Sequence, residues 1–184
     1  MQVDSSEDGG EVDALTQKLG EMLLQELPAN AQQGQPAFAG AIWSGQLEWR
    51  KLGQPEGRNT LPLTISSNFV DGQPEVTAES WPIKLRMQLM PKPVLVNVGI
   101  SLLKDSKMVR FRAKPGELRD SLVTLLSAGF CGCVHVNPAS NCRILILIYV
   151  PSRNDFLGFI PNNQITYVQL LREALEQLRD NQKK

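Results

Sequence analysis

The sequence predicts an α+β domain built on a mostly antiparallel β-sheet or barrel. Many short stretches of the 184-residue chain alternate apolar and polar residues, as half-buried strands do. Three longer stretches of the same region carry apolar residues at helical spacing. The connections are too short for regular parallel crossovers, which need about a dozen or more residues. Together these observations favour a mixed fold with largely antiparallel strand pairing.

Charge divides the chain into an acidic flexible arm, residues 1–40, and one globular domain, residues 41–180. Residues 1–36 hold seven acids and one base, a net charge of −6, and the remainder carries +6. Within the arm, apolar spacing predicts one amphipathic helix over residues 12–27, which Pro28 ends. The apolar residues of this predicted helix are Leu15, Leu19, Met22, Leu23 and Leu27.

The domain begins with two predicted strands. Residues 42–50 place Trp43, Leu47 and Trp49 on one face, together with Gly45, which is typical of a strand with one buried side. The second strand covers residues 61–67. The Asp71-Gly72 pair after it is a strong turn signal.

Residues 80–90 have helical spacing, so the sequence predicts a helix there. Ser80 suits the N-cap position, and Pro91 ends the helix. The predicted apolar stripe consists of Trp81, Leu85 and Leu89. Residues 94–98 then alternate valines, as a strand does.

The second half of the domain alternates strands with two further helices. A strand over residues 108–113 precedes a helix that starts near Pro115 and stops at Gly129. Three strands follow, over residues 131–136, 143–150 and 156–160, and a last helix covers residues 166–178. Residues 144–148 are apolar on both faces, which indicates a central strand covered on each side.

Basic residues cluster between residues 84 and 119, where nine Lys and Arg side chains stand against two acids. Such a surface attracts acidic partners, although a solvated charged surface without a ligand is the alternative. Met87 and Met90 are adaptable apolar side chains beside these cations, a mixture that suits amphipathic acidic peptides. Nucleic acid is disfavoured because no aromatic stacking platform accompanies Arg110 and Arg112.

Residues of the types that bind zinc lie close together in the sequence: Cys131, Cys133, His135 and Cys142. Ligands two apart on a strand lie roughly 7 Å apart, however, whereas tetrahedral thiolates must converge, so we expect structural cysteines and no metal. His135 is the only histidine, and no nucleophile or cofactor motif accompanies it, which disfavours an enzyme. The three cysteines and the lack of a long apolar run predict a reducing compartment and no membrane segment.

Five motifs follow one another between residues 41 and 178. They are Trp43-Ser44-Gly45-x-Leu47-Glu48-Trp49, Trp81-Pro82-x-Lys84-Leu85-x-Met87-Gln88-Leu89-x-Pro91, Ser106-x-Met108-Val109-x-Phe111, Gly129-Phe130-x-Gly132-Cys133-Val134-His135 and Phe156-x-Gly158-x-Ile160-Pro161. In content and order they resemble the activator-interacting domain of Mediator complex subunit 25, which is shared with the prostate-tumour-overexpressed protein.

The resemblance implies a seven-stranded barrel flanked by three helices and related to the SPOC fold. It also implies a nuclear coactivator module that binds acidic transactivation domains and connects them to the Mediator complex and RNA polymerase II. In that family Trp43 and Trp49 would support the fold. The acidic arm lies outside the resemblance.

The sequence therefore predicts a monomeric, non-enzymatic binding domain that uses no cofactor and no metal. The candidate activator-binding residues are Lys84, Arg86, Met87, Met90, Lys92, Lys104, Lys107, Arg110 and Arg112. The methionines would supply apolar contact and the cations electrostatic attraction. Two alternatives remain, a SPOC-like phosphopeptide-binding module and a zinc- or cysteine-dependent enzyme.

Overall fold

The computed structural model describes residues 40–51, 53–54, 56–99, 102–103, 105–137 and 142–182. Seven of the strands in this part of the chain close into a barrel: β1 Gly40–Arg50, β2 Arg58–Ser67, β5 Lys84–Pro91, β6 Ser106–Arg112, β7 Phe130–His135, β8 Ile144–Val150 and β9 Asp155–Pro161. Strands β3 Phe69–Val70 and β4 Gln73–Pro74 form a small separate hairpin. The helices of the described residues are α1 Pro93–Val98, α2 Glu117–Ser127 and α3 Gln164–Gln182.

Strand order around the barrel is β1-β2-β6-β9-β8-β7-β5, and β5 closes it against β1. The β1–β5 pair is parallel and the other neighbouring pairs are antiparallel. A mostly antiparallel seven-stranded barrel with three helices among the described residues confirms the predicted fold class. The residues 1–39 that make up nearly all of the predicted arm lie outside the described part of the chain.

The β1–β2 hairpin shows why the apolar residues alternate. Leu47 and Trp49 on β1 and Ile65 on β2 point into the barrel and are fully buried. Gly45 lies where β1 meets the segment entering β5, and a Cβ atom there would collide with the Ile83 carbonyl oxygen. That oxygen instead accepts a hydrogen bond from the Gln46 amide at 2.9 Å, which starts the parallel pairing.

Two apolar layers hold the domain together. The first fills the barrel, and α2 contributes Leu122 and Leu126 to it. The second lies outside the barrel, where α1 and α3 cover the outer side of β7, β8 and β9. Because β8 faces both layers, its residues 144–148 are all buried, which confirms that β8 is a central strand.

The predicted helix over residues 80–90 is wrong, since residues 84–91 form strand β5. Burial along its first half alternates with period two, from exposed Lys84 to buried Leu85 and from exposed Arg86 to buried Met87. The same apolar positions also fit a helical stripe, so the pattern alone could not decide. Backbone pairing with β1 on one side and β7 on the other favours the strand.

The predicted strand over residues 94–98 is also wrong, because these residues form α1. Pro93 occupies the first turn, where its fixed φ suits a helix and its missing N–H is not needed. Val94, Leu95 and Val98 are buried in the outer layer, a helical spacing that places them against α3. Tertiary burial here overrides the strand preference of valine.

The predicted helix over residues 12–27 lies outside the described residues. The other predicted elements of the domain agree with the structure within a few residues. Helix α2 is followed by Gly129 with a φ of 100°, the left-handed conformation expected just beyond a helix end. The Asp71-Gly72 pair turns the chain between β3 and β4, both residues having positive φ. Helix α3 is longer than predicted at both ends.

Candidate ligand-binding face

Four consecutive strands of the barrel, in the order β5-β1-β2-β6, carry exposed basic side chains on their outer side. We call this surface the basic face and define it by Arg50, Arg58, Lys84, Arg86 and Arg112. Strand alternation explains the grouping, because residues that alternate with these cations, such as Trp49, Leu85 and Phe111, are apolar and packed in the barrel interior. Helices α1 and α3 pack on the opposite side of the barrel.

Glu48 lies within the basic face on β1, and its side chain is only 9% exposed. Its Oε1 accepts a hydrogen bond from Arg58 Nη1 at 2.8 Å, and its Oε2 lies 3.2 Å from Lys84 Nζ. These two bonds lower the pKa of the Glu48 carboxyl below its usual value, so it is ionised at neutral pH. Arg86 is the register partner of Glu48 across the parallel β1–β5 pair.

A cleft of about 700 Å³ opens where β1 ends and β5 passes beside it. Arg50, Lys51 and Arg86 line it with positive charge, while Met87 and Leu89 add apolar surface. Its lining also includes Gly53, Gln54, Gln88 and His135. Cations around an apolar floor can hold a ligand that carries both carboxylates and large apolar side chains.

His135 ends β7 and lies directly across from Arg86 in the β5–β7 ladder. Partial burial lowers the pKa of its imidazole below the usual value, since the charged form loses hydration there. The cleft is therefore lined by a neutral imidazole at pH 7 that can gain a positive charge at lower pH.

The structure brings only some of the predicted site residues together. Lys84 and Arg86 are neighbours on the basic face, and Arg112 lies on the same face three strands away, on β6. Arg110 is partly buried and donates a hydrogen bond from Nε to Asp155 Oδ1 at 2.8 Å.

The remaining predicted residues are buried, lie away from the basic face or fall outside the described residues. Met87 contributes to the cleft lining but is only 6% exposed and packs with the barrel interior. Met90 is 0% exposed and belongs to the outer apolar layer. Lys92 is buried, and its amide donates to the Gly129 carbonyl oxygen at 3.0 Å. Lys107 is exposed beside a separate cavity of about 230 Å³ that Trp81 also lines. Lys104 lies outside the described residues.

Sequence reasoning missed Arg50, Lys51, Arg58 and His135 as contributors to this surface. The alternation in β1 that identifies Trp49 as buried also places Arg50 outward, so that residue could have been found. Arg58 follows from the hairpin, because the β1–β2 register sets it opposite Arg50. His135 required the pairing of β7 with β5, which a helix over residues 80–90 excludes.

The cysteines do not form a site with His135. Cys131 and Cys133 face the outer apolar layer, whereas Cys142 packs with the barrel interior. Burial raises the pKa of all three thiols to about 12, which leaves them protonated and unreactive. Over the described ranges, no group of three or more His, Cys, Asp or Glu side chains is arranged to hold a metal ion.

Among the helices of the described residues, none combines the length and the apolar character needed to cross a bilayer.

The fold and this surface define a helix-flanked β-barrel domain with a basic, partly apolar candidate ligand-binding face. The chain belongs to the family described as Mediator complex subunit 25 PTOV activation and synapsin 2, whose profile matches residues 39–180. This membership confirms the resemblance seen in the five sequence motifs.

Curated relatives carry the same domain in longer chains. The chain is 43% identical over 175 residues to "Protein PTOV1 homolog" of Drosophila melanogaster, covering 92% of this chain and 48% of the relative. It is 32% identical over 167 residues to human "Mediator of RNA polymerase II transcription subunit 25", covering 80% of this chain and 22% of the relative. The human "Prostate tumor-overexpressed gene 1 protein" is 34% identical over 137 residues, which cover 72% and 32% of the two chains. The chain thus spans about half, or less, of these relatives.

Proposed function

We propose that this domain is a transcriptional coactivator module that binds amphipathic acidic transactivation segments. The observation that supports it best is the cleft in which Arg50, Lys51 and Arg86 surround apolar Met87 and Leu89. A peptide with carboxylates on one side and apolar side chains on the other complements both parts of that lining.

The site residues divide by role in this proposal. Lys84 and Arg86 contact the acidic side chains directly, with Met87 below them. The cations Lys104, Lys107, Arg110 and Arg112 act over longer range by raising the association rate. Met90 and Lys92, both buried, support the fold around the site.

We also propose the partners, the cellular compartment and the oligomeric state of the module. From the names of the relatives we infer that the module connects its ligand to the Mediator complex and RNA polymerase II and acts in the nucleus. We propose that it acts as a monomer without cofactor, catalysis or direct nucleic-acid binding. In support of the last point, Phe111 between Arg110 and Arg112 is buried and offers no stacking surface.

The proposal is tested with a synthetic amphipathic peptide that carries Asp and Glu beside Leu and Phe. We expect micromolar affinity by fluorescence anisotropy, and a peptide with Asn and Gln in place of the acids should bind about tenfold more weakly or worse. Affinity should fall as salt is raised, because exposed charges are screened. Equal binding of the amide peptide would contradict the proposal.

A third peptide addresses the phosphopeptide alternative. It carries one phosphoserine in an otherwise neutral sequence and is compared with its unmodified form. The coactivator proposal predicts that phosphate is not required for binding of the acidic peptide. A strict phosphate requirement would replace the proposal with a phosphopeptide-binding module.

His135 makes the proposed binding depend on pH. An anionic ligand in the cleft favours the protonated imidazole, so its pKa rises on binding and affinity increases as pH falls through that range. Between about pH 8 and about pH 5.5, at constant ionic strength, we expect a gain of roughly twofold to fivefold. Arg86, Arg50 and Lys51 share the cleft with His135.

The control for this measurement is His135→Gln, whose affinity should be flat over the same range. An equal pH dependence in that variant would assign the effect to another group. Folding stability moves in the opposite direction, because the unfolded chain binds the proton more readily than the folded one. The contribution of His135 to folding stability is fully present above the ordinary histidine pKa and is lost as pH falls through the lowered pKa of the folded state.

A further inference from the structure

Glu48 is a nearly buried acid in the middle of a surface made of cations. Arg58 approaches it from β2 at 2.8 Å and Lys84 from β5 at 3.2 Å, so the carboxylate engages cations on both neighbouring strands. The two cationic side chains remain about half exposed, at 48% and 50%. The charged ends of Arg58 and Lys84 therefore contact Glu48 and are at the same time accessible to a ligand on the basic face.

This arrangement has two opposing effects on an acidic ligand. The carboxylate fixes Arg58 and Lys84 in position, but its negative charge lowers the positive potential of the basic face. A ligand carboxylate that approaches either cation meets donors already directed at Glu48. Because the Glu48 pKa is lowered, the competing charge is present throughout the neutral range.

We propose that Glu48 is an internal competitor that limits the affinity of the basic face for acidic ligands. This inference rests on the proposed function and deepens it. The ligand exchanges an existing ion pair for a new one, so a single acidic group gains little at this point. Strong binding requires several acids together with apolar contact in the cleft, and weakly acidic sequences are rejected.

The test uses the acidic amphipathic peptide described above and the variant Glu48→Gln. Glutamine keeps the length of the side chain and a carbonyl acceptor for Arg58 but removes the charge. We expect affinity to rise about threefold to tenfold at low salt, because removal of the Glu48 charge makes the basic face more positive. The gain should be smaller at physiological salt, which screens this added attraction. The matched control is Asp71→Asn in the exposed β3–β4 turn, which changes the net charge equally and should leave affinity unchanged.

A double-mutant cycle identifies the cation that Glu48 holds. Arg58→Gln should weaken binding more in the Glu48→Gln background than in the unchanged chain, where Arg58 is already engaged. Equal or weaker binding of Glu48→Gln, with the unchanged chain still binding the peptide, would overturn only this inference. Failure of the unchanged chain to prefer the acidic peptide over its amide form would overturn the proposed function as well.

A measurement on the unchanged chain avoids dependence on the variant's folding. The carbon chemical shift of the Glu48 carboxylate should move when the peptide is added at neutral pH, because its hydrogen-bond donors are redistributed. A shift that stays constant at saturating peptide would overturn the inference even if Glu48→Gln does not fold.

Discussion

Replacing Trp43 with alanine is expected to lower the free energy of unfolding by roughly 3 to 5 kcal/mol. Trp43 is 8% exposed, and its ring lies against Gly45 at the junction of β1 and β5. The indole Nε1 donates to the Pro82 carbonyl oxygen at 3.1 Å, so the variant loses that bond as well as buried apolar surface. The measurement is urea unfolding followed by fluorescence and circular dichroism.

The control for this experiment is Ile83→Ala, a truncation in the same region at a side chain that is 77% exposed. It should change stability by less than about 0.5 kcal/mol. Small domains have a total stability of about 5 to 15 kcal/mol, so Trp43→Ala removes a large fraction of it. A Trp43→Ala variant as stable as the unchanged chain but impaired in peptide binding would identify Trp43 as a ligand contact instead.

Much of the fold was predictable because local patterns and tertiary burial agree there. In β1, one alternating pattern places Leu47 and Trp49 inside the barrel and Arg50 outside. At the end of α2, Gly129 adopts the backbone conformation that its position after a helical stripe predicts. In such segments the residues near each other in sequence carry enough information to fix the element.

Residues 80–98 were assigned wrongly because local patterns there fit two structures. Leu85 and Leu89 are four apart, which satisfies both a helical stripe and one face of a strand. The deciding interactions are distant in sequence, since Leu85 pairs with Leu47 on β1 and Leu89 pairs with Gly132 on β7. Such pairings cannot be inferred from a window of neighbouring residues.

The site was also hard to predict because it depends on strands that pair although they are far apart in sequence. The basic composition of residues 84–119 was visible, but the barrel distributes those cations over different surfaces. Lys107 and Arg112 on β6 are five residues apart and therefore point to opposite faces of the strand. Arg50 and Arg58, more distant in sequence from Arg86, line with it a small cavity beside the cleft.

Reversing two charges on the basic face, Lys84→Glu together with Arg86→Glu, should weaken binding of the acidic peptide by roughly 30- to 100-fold at low salt. Arg86 lines the cleft, and Lys84 lies two residues before it on β5. Each substitution removes an attractive charge from this surface and adds a repulsive one. Both side chains are exposed on β5, so the fold should be retained, although Glu48 loses its contact with Lys84. Anisotropy titrations over a series of salt concentrations measure the effect, which should shrink as salt rises.

The matched control reverses two exposed cations on α3, Arg172→Glu and Arg179→Glu, which changes the net charge by the same amount. Because α3 packs over β8 and β9, these residues lie on the side of the barrel away from β5 and β1. If the basic face binds the ligand, the α3 variant should lose no more than about threefold in affinity at low salt, and nothing at physiological salt. Equal losses in the two variants would show that the whole domain attracts the peptide through its net charge. Retained affinity in the Lys84 and Arg86 variant would place the binding site elsewhere on the barrel, and the cavity beside Lys107 would then be the next surface to test.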